Sequence, residues 1–271
     1  MNKRTFVTLC LMSTVFASAL VAGCSKQDGT SAPGETANVA AAEREIKIIG
    51  LDTQSTPMAF WNSQTGLFSG FDVDLAMEAF KRAGLKYEFK AIDWGEKDNE
   101  LLRDKSIDVI WSSLTITDAR KQLYSLCDPY VENRKTAVVR AGSPITTLAD
   151  LGGRKVAVQA KSYSVEVVKA YSTPKGPIQV HEVPQRVDML VALLAGEVDA
   201  AVTDSVFLDY YVLNTPGKFH ILSESFQHES FGVAFRPEDR ELTEKINKAL
   251  ADMRLDGTTQ TIYARWFGEA K

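Results

Sequence analysis

Cysteine is scarce in this chain of 271 residues: its three copies are Cys10, Cys24 and Cys127. Cys10 and Cys24 lie in or beside an apolar N-terminal run, so the remainder holds a single thiol and no intramolecular disulfide to staple it. The fold must stand on its hydrophobic core, which about 250 residues can supply. No His or second Cys is close to Cys127 in sequence, which makes it a structural thiol rather than a reactive one. Histidine is equally scarce, and His181, His220 and His228 show no metal-ligand spacing. Gly-x-Gly-x-x-Gly, a Walker loop, His-Glu-x-x-His, heptads and internal repeats are all missing, and no strand-elbow motif supports a Ser-His-Asp triad. The sequence therefore assigns no cofactor, metal or catalytic residue. Basic charge is short as well. With 31 Lys and Arg against 35 Asp and Glu, the net charge is −4, which excludes the electrostatic footprint of a nucleic-acid binder.

What is present begins at the N-terminus. Lys3 and Arg4 precede a mostly apolar run over residues 6–21, shorter than the ~20 residues that span a bilayer. Leu20-Val21-Ala22-Gly23 then leads into Cys24. A charged start, a short apolar core and small residues before a cut describe an export signal over residues 1–23. Leu-Val-Ala-Gly-Cys also resembles the bacterial lipobox. That resemblance implies cleavage before Cys24, a diacylglycerol on its thiol and acylation (palmitate) of the new N-terminus. Residues 24–44, rich in Ser, Gly, Ala, Thr and Pro, read as a flexible tether.

From Ile46 onward strands and helices alternate. Residues 46–49 read as a buried strand, 72–83 as a helix with Leu75, Ala79, Phe80 and Ala83 on one face, and Tyr87, Phe89 and Ala91 as an alternating strand. Further strands are expected at 107–111, 156–158, 178–180 and 198–202. Helices are expected near 164–171, 187–194 and 205–213, and two more over 238–267, broken at Asp256-Gly257. This alternation points to open α/β sheets, whose ligands bind beyond the carboxyl ends of the strands.

One stretch concentrates binding chemistry. After the 107–111 strand come Ser112, Ser113 and Thr115, then a helix start capped by Thr117 or Asp118, with Arg120 in the first turn. A cation there opposes the helix dipole, so Arg120 serves either a ligand or solvent. A free amino acid asks a site for a guanidinium and N–H groups at its carboxylate, a carboxylate and neutral acceptors at its ammonium, and a matched side-chain pocket.

The chain resembles the bacterial extracellular solute-binding proteins of family 3, receptors for polar amino acids. The landmarks run in order from Gly70-Phe71-Asp72-Val73-Asp74-Leu75-Ala76 through residues 108–120 and Asp128-Pro129-Tyr130. They continue in the 148–159 segment, Val198-Asp199-Ala200-Ala201-Val202-Thr203-Asp204 and Trp266-Phe267-Gly268. The resemblance implies a periplasmic-binding-protein-like type II α/β fold: two open-sheet lobes, 45–135 with 227–271 and 136–226, joined by strands crossing near 136–139 and 231–235. It also implies roles. Arg120 would clamp the α-carboxylate with N–H groups at Thr115 and Ser162. Asp204 would pair with the α-ammonium, with oxygens from Ser113 and Thr115. Trp94 would stack on the ligand side chain, and Asp52 would contact its distal group. For Asp204 a helix N-cap role is equally natural, and Trp94 also suits a core position. Trp61 could line the cleft or pack the first lobe; Trp111 reads as packing, and Gly70-Phe71-Asp72 as a turn and helix cap.

Two departures fall on the substrate side: Ala160-Lys161-Ser162-Tyr163 replaces the family's Gly-Thr or Gly-Ser, with Tyr163 positioned to intrude on the ligand, and the 53–56 loop lacks an aromatic. Asp52 argues against an acidic ligand. The expected order is a basic or glutamine-like amino acid first, cystine-like second. The resemblance further implies ABC permease and ATPase partners and a monomer anchored by lipid on the extracytoplasmic face of the membrane. The rival readings are a cyclohexadienyl-dehydratase-like enzyme and a ligand-sensing module.

Overall fold

A computed structural model describes residues 45–268; the export signal, Cys24 and the tether lie outside them. The chain opens with β1 (Ile46–Leu51) and three short strands, β2 (Gln54–Ser55), β3 (Ala59–Asn62) and β4 (Leu67–Ser69). Next come α1 (Phe71–Arg82), β5 (Lys86–Ala91), β6 (Val109–Thr115), α2 (Asp118–Leu123), β7 (Ser125–Leu126) and β8 (Val131–Arg140). It continues with β9 (Lys155–Gln159), α3 (Tyr163–Ala170), β10 (Gln179–Val183), α4 (Arg186–Ala195), β11 (Ala200–Asp204) and α5 (Ser205–Asn214). It ends with β12 (Phe219–Phe235), α6 (Arg240–Leu255) and α7 (Thr258–Phe267).

The helices follow their apolar spacing. In α1, Phe71, Leu75, Ala79 and Phe80 are buried; Asp72 and Asp74 stand in the first turn and Lys81 and Arg82 in the last, as the helix dipole favours. In α6, Leu242, Ile246, Ala249, Leu250 and Met253 form the inward stripe. Gly70 starts α1 at φ +139°, and a β-carbon there would lie 2.2 Å from Met58 O.

One sheet runs through both halves in the order β10-β9-β11-β8-β12-β6-β1-β5. β1 is parallel to β5 and β6, and β9 is parallel to β10 and β11. Among the described residues, the antiparallel β8 and β12 join the halves: β12 pairs with β8 over Phe219–Phe231 and with β6 beyond it. One core packs Ile49, Leu75, Phe80, Trp111 and Phe235 against α1, α6 and α7. Others gather Val138, Met189, Leu193 and Phe207, or Val156, Val158, Val168 and Val202, around β9 and β11. Cys127 is buried, and burial pushes its thiol well above the usual range.

Near the expected crossing the two strands change partners. Residues 136–139 pair mainly with β11 and the start of β12, while Phe231 and Phe235 pair with β6. The strands pass between the halves where Asn133 faces Glu229 and Lys135 faces Gln227. Apolar runs mark the well-covered parts of a strand, and here the crossover is polar. β6 also extends further than expected, with all seven of its residues buried through Thr115.

Candidate ligand-binding cleft

The cleft lies beyond the carboxyl ends of parallel strands from both halves, where this architecture leaves backbone and side chains free to meet a ligand. Asp52 follows the end of β1, β6 ends at Thr115, β9 runs into the Gln159–Ser162 turn and β11 ends at Asp204. Two adjoining cavities fill it, sharing Trp94 and Gln159. The inner one measures about 10 Å³ and is lined by Ser113, Thr115, Arg120, Ser162, Tyr163 and Asp204, together with Lys135, Ser164, Arg186 and Thr203. The outer one measures about 580 Å³ and is lined by Asp52, Gln54, Asp93, Lys161, Glu182 and Gln185 among others. The inner space has room for about one water molecule, too little for an amino-acid head as the side chains stand.

On the β6 side, Thr117 caps α2 by accepting from Arg120 N at 3.2 Å. The helix start turns the Arg120 side chain back over β6, where Nη1 donates to Thr115 O at 2.6 Å. Its guanidinium carbon lies 5.9 Å from the centre of the Trp94 ring, and Lys97 Nζ lies 5.0 Å from the same ring. Burial pushes both cations to lower proton affinity than usual. Trp94 is therefore an aromatic platform for two cations and packs with Leu101, Ile110 and Leu114, so it joins the cleft wall to the core beneath. Its Nε1 is buried without a hydrogen-bond partner among the described residues.

Ser113 lines the inner cavity in the left-handed region, φ +49°. Asp72 holds it there. Its Oδ2 accepts from Ser113 N at 2.9 Å and Ser113 Oγ at 3.2 Å, and its Oδ1 from Tyr130 Oη at 2.8 Å. Asp72 is thus a buried support of the cleft floor rather than only a helix cap. Burial raises its pKa to about 7, against the pull of those hydrogen bonds.

Ser112 stands one layer behind: its Oγ accepts from Asp52 N at 3.0 Å and it lines neither cavity. Asp52 accepts from Gln54 N at 3.0 Å through Oδ1, while its buried Oδ2 has no hydrogen-bond partner among the described residues. Ser162 Oγ donates to Gln159 O at 2.6 Å, closing the turn before α3. Trp61 is half exposed on β3 against Phe68, and Trp111 is fully buried in the core.

Asp204 occupies the N-cap position of α5 but makes no side-chain capping bond. Its carboxylate turns into the cleft floor, bonded to Lys135 Nζ and to Asn133 Nδ2 at 2.7 Å, with Arg186 Nη1 3.0 Å from Oδ2. Burial alone would raise its pKa; Lys135 and Arg186 outweigh that and hold it at about 2. Arg186 stacks on Phe207, 5.5 Å from the ring centre. Its Nη1 approaches Asp204 off the line of a hydrogen bond and has no hydrogen-bonded partner among the described residues. Sequence reasoning missed Lys135, Asn133, Arg186 and Glu229. For Asn133, Lys135 and Glu229 the one local signal is their polarity beside the two expected crossing strands; for Arg186 it is a cation in the first turn of α4, against the helix dipole.

Residues 48–269 match the family model for bacterial extracellular solute-binding proteins, family 3. The chain is 31% identical over 258 residues to the L-cystine-binding protein TcyJ of Escherichia coli (strain K12), covering 94% of this chain and 93% of that relative. Among solved structures, it is similar to an ancestral arginine-binding protein, bound to glutamine or to arginine. The TM-score is 0.76 at 37% identity, over 83% of this chain and 99% of that one. It is also similar to the ancestral amino acid-binding protein AncCDT-1, a precursor of cyclohexadienyl dehydratase. There the TM-score is 0.74 at 30% identity, over 82% of this chain and 96% of that one.

Proposed function

The chain belongs to the bacterial extracellular solute-binding proteins of family 3 and has their periplasmic-binding-protein-like type II fold; from that premise we propose that it captures a free polar or basic L-amino acid and delivers it to an ABC importer. The observation that carries this reading is the meeting of Arg120 and Asp204 in one cavity, Arg120 in the first turn of the helix that follows β6 and Asp204 at the end of β11, from different halves of the sheet. Arg120 takes the α-carboxylate, with the Thr115 N–H and with the Ser162 N–H released from its 3.3 Å bond to Gln159 O. Asp204 takes the α-ammonium, with Ser113 and Thr115 oxygens beside it. A ligand touching both halves favours the closed arrangement by what it adds to that state alone.

The side chain extends past Trp94 into the outer cavity. Asp52, Asp93 and Glu182 there outnumber Lys161, and the unpartnered Asp52 Oδ2 suits an ammonium, guanidinium or amide donor. That favours a basic or glutamine-like ligand, with cystine next. In this reading the protein is a monomer held by acylated Cys24 on the extracytoplasmic face of the membrane. It works there with permease and ATPase subunits and performs no catalysis.

A thermal-shift screen of the twenty amino acids with ornithine and cystine tests it: ligand at 100 times its dissociation constant stabilises by about 2.7 kcal/mol. Arg120→Ala and Asp204→Ala each remove a buried charge partner and are expected to weaken the hit by at least tenfold. Wild-type titrations for both sink the reading. Consumption of the bound compound, in place of its stoichiometric release unchanged, points to the dehydratase-like alternative.

A further inference from the structure

Every side of the Asp204 carboxylate is engaged by the protein itself. Oδ1 is bonded to Lys135 Nζ and Asn133 Nδ2, and Oδ2 faces Arg186. The register explains why. Asp204 stands opposite Lys135 across β11 and β8, and Asn133 stands opposite Glu229 across β8 and β12. Four polar side chains therefore meet across three adjacent strands directly beneath the cleft, at the crossing between its halves. The Lys135 and Asp204 side chains are only 3% and 2% exposed, so this ion pair is a built feature of the floor rather than a surface contact.

Lys135 has a second carboxylate within reach. Its Nζ is 3.0 Å from Glu229 Oε1, which also accepts from Asn133 Nδ2 at 2.6 Å and from Thr115 Oγ1 at 3.3 Å. Glu229 Oε2, in contrast, is buried with no hydrogen-bond partner among the described residues. Burial raises the Glu229 pKa; Lys135 draws it down, and the neighbouring Asp204 pushes it up again. The cluster holds one ammonium between two carboxylates, and one of them has an unused oxygen.

We propose that Lys135 is a resident competitor for the α-ammonium of the ligand: its own ammonium holds Asp204, and ligand entry transfers it to Glu229. The inference rests on the reading of Asp204 as the ammonium partner. The exchange balances in charge, because one ammonium leaves Asp204 as another arrives, and the displaced one stays buried beside a carboxylate. It also accounts for the small inner cavity, since Lys135 lines the space a ligand head must enter. Affinity is set by the difference between two ammonium positions, so Lys135 tunes how strongly a zwitterion is held. Thr115 links Glu229 to the Arg120 side, and the exchange thereby reports to both halves of the cleft.

The test is calorimetric titration of the full chain with L-arginine, L-glutamine and L-cystine. Lys135→Gln removes the competitor and is expected to tighten binding of at least one of the three by tenfold or more, or to make it newly measurable. Glu229→Gln removes the destination and is expected to weaken binding tenfold in the wild-type background but to have no effect when combined with K135Q. A merely structural role for Glu229 predicts the same loss in both backgrounds. Unchanged, weaker or undetectable binding by folded K135Q overturns the proposal. If K135Q does not fold, Lys135→Met takes its place with the same expectations alone and combined with E229Q, and wild-type affinity in E229Q overturns the proposal in either case. Asp204→Asn separates the two readings. Retained affinity in D204N removes Asp204 as the ammonium partner. Lost affinity in D204N without a gain in K135Q removes the competitor alone.

Discussion

Ser113 adopts a left-handed backbone at φ +49° because Asp72, 41 residues earlier, accepts both its N–H and its hydroxyl. A residue with a β-carbon pays about 1–3 kcal/mol to stay in such a region and remains there only when its surroundings dictate it. Asp72→Ala strands Ser113 N and Tyr130 Oη in a buried site, at about 1–3 kcal/mol for each unsatisfied group. The expected result is a lower melting temperature together with weaker ligand binding, because the released Ser113 lines the inner cavity. Urea unfolding and titration of the same variant check the pair of effects. Loss of stability with unchanged affinity would separate Asp72 from the binding floor.

The same carboxylate sets a pH dependence. Burial raises the Asp72 pKa from 3.8 to about 7. Between about pH 4 and 7 the folded protein retains a proton that the unfolded chain has released. Stability therefore declines as pH rises through that window and levels off above it. At about 1.4 kcal/mol per unit, the effect is on the order of 4 kcal/mol before other groups are counted. Glu229, also raised, acts in the same direction. Asp204, held at about 2, acts oppositely and only at lower pH, where its protonation costs stability. Asp72→Asn cannot titrate. Denaturant curves at pH 4.5 and 8 are expected to differ less for D72N than for the wild type, and equal differences would refute the assignment.

Gly70 positions the helix that carries Asp72. At φ +139°, with an added β-carbon falling 2.2 Å from Met58 O and 2.6 Å from Met58 C, the site admits no larger residue without moving backbone. Gly70→Ala is expected to cost about 2–4 kcal/mol, read as a drop in melting temperature. It should also shift α1 enough to weaken ligand binding through Asp72 and Ser113. Gly66→Ala, where a β-carbon meets nothing within 4 Å, carries only the strain of its positive φ and serves as the comparison.

These residues also mark where sequence reasoning reaches its limit. Helices α1, α4, α6 and α7 are legible because their apolar residues recur at helical spacing over ten or more positions, whereas α5 (SVFLDYYVLN) is apolar almost all round and shows only as an apolar run after a strand. β2, β3 and β4 are not, since strands of two to four residues show no period. The first half of β12 is hidden because Ser, Glu, Gln and His interrupt it, and those polar residues are what the crossing uses. Arg120, Asp204, Trp94 and Ser113 are legible as strand-end or helix-start chemistry in familiar landmarks. Their partners are not: Lys135 reaches Asp204 across 69 residues and Glu229 reaches Thr115 across 114, through strand registers that no local pattern encodes. Asp72 reads as a cap because its helix start is local, whereas Ser113 and Tyr130 are brought to it by the sheet.

Arg120 offers the sharpest check on the head-group reading. Its Nη1 donates to Thr115 O at 2.6 Å, and its guanidinium carbon lies 5.9 Å from the centre of the Trp94 ring. A guanidinium carries five donors in a rigid fork, so it can keep the carbonyl of Thr115 while presenting a parallel pair of N–H groups to a carboxylate. Lysine keeps the charge and loses the fork. Arg120→Lys is therefore expected to bind at least tenfold more weakly, as does loss of a bidentate contact in general. Its melting temperature should stay close to that of the wild type, because Trp94 still carries Lys97 and the β6 core is untouched. Trp94→Ala is expected to differ in kind. It removes a packed aromatic, costs about 3–5 kcal/mol of stability and weakens binding as well. If R120K titrates like the wild type, the carboxylate is held by charge alone or elsewhere, and the fork geometry at Arg120 has no part in it.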